Sequence, residues 1–190
     1  MSAVYNFYFD EANGCQRAII TSGLWSERPT TGLTNGQRFY ATDRNIEYAY
    51  NTTLTKWLST QLFVVPLCWS SAGTPALFSN SQPPTFSTNQ ADSRYSMYVE
   101  SVDIEWSSEY IDANDGYSAT FFAANSLVAI TYLYQLGRVN EGRYTNAMAI
   151  NTEYPIGTNS FRVGLAVISG DELANNGSVF GVSMRYRLVG

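Results

Sequence analysis

Apolar residues recur at every second position along much of this chain, and nowhere does a 3.6-residue period persist for three turns. In SVFGVSMRYRL, Phe180, Val182, Met184, Tyr186 and Leu188 fall on one face of a strand, with Gly181, Ser183, Arg185 and Arg187 on the other. Upstream, FRVGLAVI groups Phe161, Val163, Leu165 and Val167 in the same way. The intervening SGDELANNG contains Asn-Gly, a strong turn signal, so the two segments read as an antiparallel pair. YVESVDIEW places Tyr98, Val102, Ile104 and Trp106 on one side, opposite Asp103 and Glu105, and AMAI at 147–150 adds a short strand. SLVAITYLYQL at 126–136 is apolar on both faces, as expected of a strand covered on its second side by a neighbouring subunit. ELAN at 172–175 and NTTLTKWL allow one helical turn at most. The pattern predicts an all-β chain, with an antiparallel sandwich over 93–190.

The first half is organised differently. GQRFYATD, IEYAY and KWLST predict a three-stranded meander within 32–66, with Phe39, Tyr48, Tyr50 and Trp57 as a small aromatic core. Three strands barely suffice for independent stability, so such a module is expected to pack on a partner surface. The stretch 67–92 is rich in Ser, Asn and Pro and reads as a loop or linker. Residues 1–31 read as an extended N-terminal docking arm. Within it Tyr5, Phe7 and Phe9 alternate with Val4, Asn6 and Tyr8, which makes a strand apolar on both faces and suited to strand addition on a neighbour.

Composition sharpens this picture. Charged residues are 14% of the 190, and 20 Ser, 17 Thr and 15 Asn must cover the surface instead. With 14 Tyr and 10 Phe, the exterior takes on the character of an interface, depleted in charge and rich in aromatics. Net charge is −5 and the basic residues do not cluster, so counterion release cannot drive nucleic-acid binding. There is no histidine, which removes the commonest general base, the usual Ser-His and Cys-His pairs and most zinc sites. No apolar run approaches the ~20 residues of a membrane span, and MSAVYNFYFDEANG lacks the basic and apolar regions of a secretory signal. Cys15 and Cys68 are expected to be two buried free thiols in a chain made in the cytosol.

The pattern G-x-x-F-Y-A-T-D at 36–43, then Tyr48-x-Tyr50, then Trp57-Leu58-Ser59-Thr60, resembles meanders of tailed-bacteriophage fibre, head-fibre and decoration proteins. FRVGLAVISG followed by GSVFGVSMRYRLVG looks like the closing strands of the jelly-roll heads of such proteins. The resemblance implies a jelly-roll-like sandwich, a homotrimer and a place on the virion surface. Heptads, Gly-X-Y repeats and a repeated shaft are missing, which favours a short spike, cement or decoration subunit over a long fibre.

Candidate chemistry is sparse. Acidic residues gather at Glu100, Asp103, Glu105, Glu109, Asp112 and Asp115, and VDIEW is similar to the E-x-D-x-E core of laminarinase-type glycoside hydrolases. The nucleophile position of that pattern is Ser101, so one of the two carboxylates that retaining hydrolysis needs is missing. Asp112-Ala113-Asn114-Asp115-Gly116 is one residue short of a calcium loop and reads as an Asx turn. Tyr5, Tyr8, Trp25, Trp69 and Trp106 are the candidates for stacking on sugar rings. The expected function is therefore a non-catalytic structural subunit of a bacteriophage virion, without cofactor or metal. Its expected partners are copies of itself and virion proteins such as the major capsid protein or a fibre or tail neighbour. The expected interface residues are Tyr5, Phe7, Phe9, Tyr48, Tyr50, Trp57, Val128, Ile130, Tyr132 and Tyr134. The alternative is a receptor- or carbohydrate-binding domain of a phage fibre, with host surface glycan as partner.

Overall fold

Strands dominate the computed structural model of the chain, as the two-residue period predicts. It describes residues 7–10, 15–18, 21–69, 76–77, 85–89, 91–108, 115–123, 130–135, 142–169 and 177–190. Among these there is no α-helix, and the one helical element is a 3-10 turn at Trp25–Glu27. The chain divides into two compact units, residues 1–62 with 187–190 and residues 63–186.

In the smaller unit, β1 (Phe7–Asp10) and β2 (Cys15–Ala18) form an antiparallel pair. Part of the segment expected to be an extended arm is thus paired within itself, Phe7–Asp10 against Cys15–Ala18. β3 (Thr21–Gly23) runs parallel to β4 (Arg38–Ala41), which is followed by β5 (Ile46–Asn51) and β6 (Lys56–Ser59) in antiparallel succession. The expected meander is therefore present. Its core is Phe39, Ala41, Tyr48 and Trp57, with Trp25, Leu33, Ile46 and Tyr50 packed against it. Residues 187–190 return to this unit. Val189 pairs with Leu58, the Gly190 amide donates to the Trp57 carbonyl at 3.0 Å, and the Arg187 guanidinium donates to the carbonyls of Ser59 and Thr60 at 2.9 and 2.8 Å.

The larger unit contains β7 (Phe63–Trp69), β8 (Ala76–Leu77), β9 (Thr85–Thr88), β10 (Ser96–Ser108), β11 (Gly116–Ala123), β12 (Ile130–Gln135), β13 (Gly142–Tyr154), β14 (Phe161–Ser169) and most of β15 (Gly177–Val189). One sheet has the order β7-β15-β10-β13, and the other β9-β14-β11-β12. Strands adjacent in sequence mostly lie in opposite sheets. This order is the eight-stranded jelly roll. β7 also reaches β9 through Cys68↔Ser87 and Trp69↔Phe86, closing one corner, and β8 is a short addition to β15. The core between the sheets holds Met97, Val99, Val102, Ile104, Trp106, Met148, Val182 and Met184 from one side. Phe86, Tyr117, Phe121, Phe161, Val163 and Leu165 meet them from the other.

Several expectations are corrected here. β14 and β15 are not a pair, because the jelly-roll connection carries the chain from one sheet to the other. Phe180 is half exposed rather than inward, since the alternation of β15 slips between buried Val179 and Val182. Tyr98 leaves the face of Val102 because the β10–β13 register shifts between Val99 and Ser101, opposite Asn151 with its positive φ of 48°. The stretch 67–92 includes the end of β7 together with β8 and β9, so the larger unit begins at Phe63 rather than residue 93. Cys68 is a free thiol on an exposed position, because it lies on the outward face of β7. The turn expected within 172–175 lies outside the described residues.

Candidate interaction surface

One aromatic cluster of the larger unit lies where β12 and β13 border their respective sheets. Among the described residues β12 pairs only with β11, and β13 only with β10. The Trp106 ring stacks on Tyr144 at 4.8 Å and meets Tyr117 edge-on at 6.3 Å. Tyr117 stacks on Tyr134 at 4.9 Å, and Tyr134 on Tyr132 at 6.3 Å. Asn146 Oδ1 accepts from Trp106 Nε1 at 2.6 Å and from the Tyr117 hydroxyl at 3.1 Å. The Tyr132 hydroxyl donates to the Ala149 carbonyl. The Tyr134 hydroxyl is buried and has no hydrogen-bond partner among the described residues. Burial, then the neighbouring Tyr132 and Asp103, push its pKa up to about 12. Tyr117 is raised as well, mainly by burial. The cluster is half-buried along the border and fully buried at Trp106 and Tyr117. Chemically it fastens two sheets together, with the Trp106 indole and the Tyr117 phenol sharing the Asn146 oxygen.

The two outer faces of the sandwich differ in charge. The face of β7-β15-β10-β13 carries both signs, including Asp103, Glu105, Arg143 and Arg185. Arg185 Nε donates to Asp103 Oδ2 at 2.6 Å, and the Arg143 guanidinium lies 5.0 Å from the centre of the Phe180 ring. On the face of β9-β14-β11-β12, the only charged group among the described residues is Arg162, stacked over Phe122 at 4.6 Å.

The expected interface residues scatter over these features. Tyr48 is 0% exposed and Trp57 4%, so both fill the core of the smaller unit and present no ring to a partner; Tyr50 packs against the same core. Ile130, Tyr132 and Tyr134 share the half-buried inner face of β12, whereas Thr131, Leu133 and Gln135 are exposed. Phe7 and Phe9 lie on β1, and Tyr5 and Val128 lie outside the described residues. Over the described residues 130–135 the doubly apolar reading holds for Leu133 alone on the outer side, where Thr131 and Gln135 are its polar neighbours. Leu133, Phe122 and Ile168 lie on the outer side of this sheet.

The candidate chemistry is likewise placed. Asp103 is engaged by Arg185, and Glu105 is exposed beside Gly181. Asp115 is buried, and 112–114 lie outside the described residues. No group of three or more metal-ligating side chains occurs among the described residues. Trp106 is too buried to stack on a sugar, and Trp25 packs on Tyr48 at 4.7 Å with Arg28 and Arg44 over its ring. Among the described residues no helix is long and apolar enough to cross a membrane.

No family model matches the chain, and no curated protein does. Among solved structures it is similar to a chain in the structure of infectious bursal disease virus, Gx strain, at 13% identity and a TM-score of 0.34. The similarity covers 85% of this chain and 36% of that one, so this chain spans about a third of the length it is compared with. A likeness this distant defines neither a family nor a function.

Proposed function

We propose that the chain is a non-catalytic structural subunit on the outer surface of a bacteriophage virion, a decoration or short-fibre protein assembled as a homotrimer. The observation that carries this reading is the eight-stranded strand order of the larger unit, an architecture used by capsid and lectin domains. The same chain also contains a meander whose turns and aromatics resemble those of phage surface proteins. Fold does not dictate function, and the choice of a structural role rests on the surface. The outer face of β9-β14-β11-β12 is nearly uncharged, the chain has no histidine, and Asp103 is held by Arg185. Its partners in this reading are copies of itself and a shell or tail neighbour contacted through residues 2–14.

The test is sedimentation of purified shells of a candidate major capsid protein with the intact chain and with a chain lacking residues 2–14. The intact chain is expected to co-sediment in a fixed ratio, and the shortened chain to stay in solution while keeping the near-ultraviolet signature of a folded sandwich. Equal binding by both would remove the arm from the mechanism, and binding by neither would remove the virion role. Glucan release that disappears with Asp103→Asn and Glu105→Gln would replace the structural reading with an enzymatic one.

A further inference from the structure

The cross-strand register arranges the outer face of β9-β14-β11-β12 in rows. Leu133, Ser118 and Ala166 form one, and Thr131, Thr120, Gly164 and Thr85 the next. The Thr120 and Thr131 hydroxyls are bonded to each other at 3.1 Å, so these two groups already have partners. The centre is flat, built from Ser, Thr, Gly and Ala. Its borders are apolar, with Leu133 70% exposed and Ile168 43% exposed. A flat, small-residue centre lets another sheet approach closely, and exposed leucine and isoleucine gain from being covered.

We infer that this face is where copies of the chain meet. Charge decides the occupant. Two copies each carrying −5 repel, and a homotypic contact is least opposed where neither copy presents an acidic group. The opposite outer face exposes an acidic group, Glu105, alongside Arg143, while its Asp103 is buried and paired with Arg185. The face of β9-β14-β11-β12 has no acidic group among its described residues, and its single cation, Arg162, is drawn over Phe122. Area sets the strength. Four strands about 4.8 Å apart and about seven residues long give a face on the order of 20 by 20 Å. That is roughly half of the ~800 Å² a partner contributes to a standard interface, so association through this face reverses on dilution. A face that meets its own copy makes an isologous, two-fold contact, so the inference goes beyond the proposed homotrimer and depends on neither it nor the virion role.

The experiment is the mass of the intact chain by light scattering and sedimentation across a dilution series. Leu133→Glu with Ala166→Glu are the test substitutions, and Ala147→Glu, exposed on the other outer face, is the control. Thr131→Glu serves as a second, independent variant, with near-ultraviolet circular dichroism confirming folding of each. The wild type and the control are expected to associate with the same concentration dependence. The double variant and Thr131→Glu are expected to weaken association at least tenfold, about 1.4 kcal/mol. A wild type that stays monomeric throughout, or variants that associate as tightly as the wild type, would overturn the inference. So would a glycan that binds the wild type and is lost with these substitutions while the mass is unchanged. A chain that associates through this face but fails to bind shells leaves the inference standing and removes only the virion role.

Discussion

Trp106 and Tyr117 reach across the sandwich from opposite sheets and donate to one oxygen, Asn146 Oδ1, at 2.6 and 3.1 Å. A single side-chain amide thus holds the indole and the phenol that fill the core at this border. Substituting Asn146→Leu keeps much of the volume and removes the shared acceptor. Stripping a partner from a buried polar group costs about 1–3 kcal/mol. The expected loss is about 2–4 kcal/mol in urea unfolding with an unchanged denaturant dependence. A loss below about 0.5 kcal/mol would mean that the amide does not fasten the sheets.

Tyr134 gives the fold an alkaline limit. Burial raises its pKa from 10.0 to about 12, so the folded state favours the neutral phenol more than the unfolded state does. The sign follows: this contribution is complete below pH 10 and is lost as pH rises from 10 toward 12. Thermal unfolding should therefore fall in temperature over that interval, and tyrosinate absorbance should show a late ionisation. Tyr134→Phe deletes a buried hydroxyl that has no partner among the described residues, and is expected to leave stability at neutral pH unchanged or raised by about 1 kcal/mol while reducing the late ionisation. A variant that loses stability at neutral pH would show that the hydroxyl has a stabilising partner.

Gly116 opens β11 where no side chain fits. A Cβ built there would lie 2.7 Å from the Tyr134 carbonyl oxygen and 3.2 Å from the Ser169 hydroxyl. Because the first of these is backbone, relief requires moving β12 itself. Gly116→Ala is expected to cost about 1–3 kcal/mol and to raise hydrogen exchange along β12 first. Unchanged exchange there would show that the strand yields easily.

Thr55 carries strain in the smaller unit. It closes the turn between β5 and β6 at a φ of 54°, a left-handed conformation that β-branched residues rarely adopt. Thr55→Gly removes the clash and should stabilise the intact chain by up to about 1 kcal/mol, seen as a higher midpoint for the transition that reports Trp57 fluorescence. A lower midpoint would show that the Thr55 hydroxyl, which donates to the Leu54 carbonyl at 2.7 Å, matters more than the strain.

What the sequence made legible was local. The meander core of Phe39, Tyr48, Tyr50 and Trp57 follows from alternation and nearby turns, and the structure assembles those residues. Strand pairing in a jelly roll is long-range, and this is why β14 and β15 read as neighbours although each pairs elsewhere. β9 was hidden because it contributes only Phe86 and Thr88 to the interior, too short a pattern to stand out from the surrounding Ser, Asn and Pro. Asn146 looked like an ordinary polar residue beside AMAI. Its role exists only once β10 and β11 place Trp106 and Tyr117 over it. The nearly uncharged outer face was equally invisible, since its rows draw on residues 85–87, 118–122, 131–135 and 162–168, and only the register brings them together.

The return of residues 187–190 to the meander has a consequence for biosynthesis. On the ribosome, the meander strands emerge well before the four residues that supply Val189 to Leu58 and the Arg187 guanidinium to the carbonyls after β6. The smaller unit therefore cannot finish until the larger one has been translated. A released chain ending at Tyr186 should remain protease-sensitive within 36–60 even when the jelly-roll strands have become resistant.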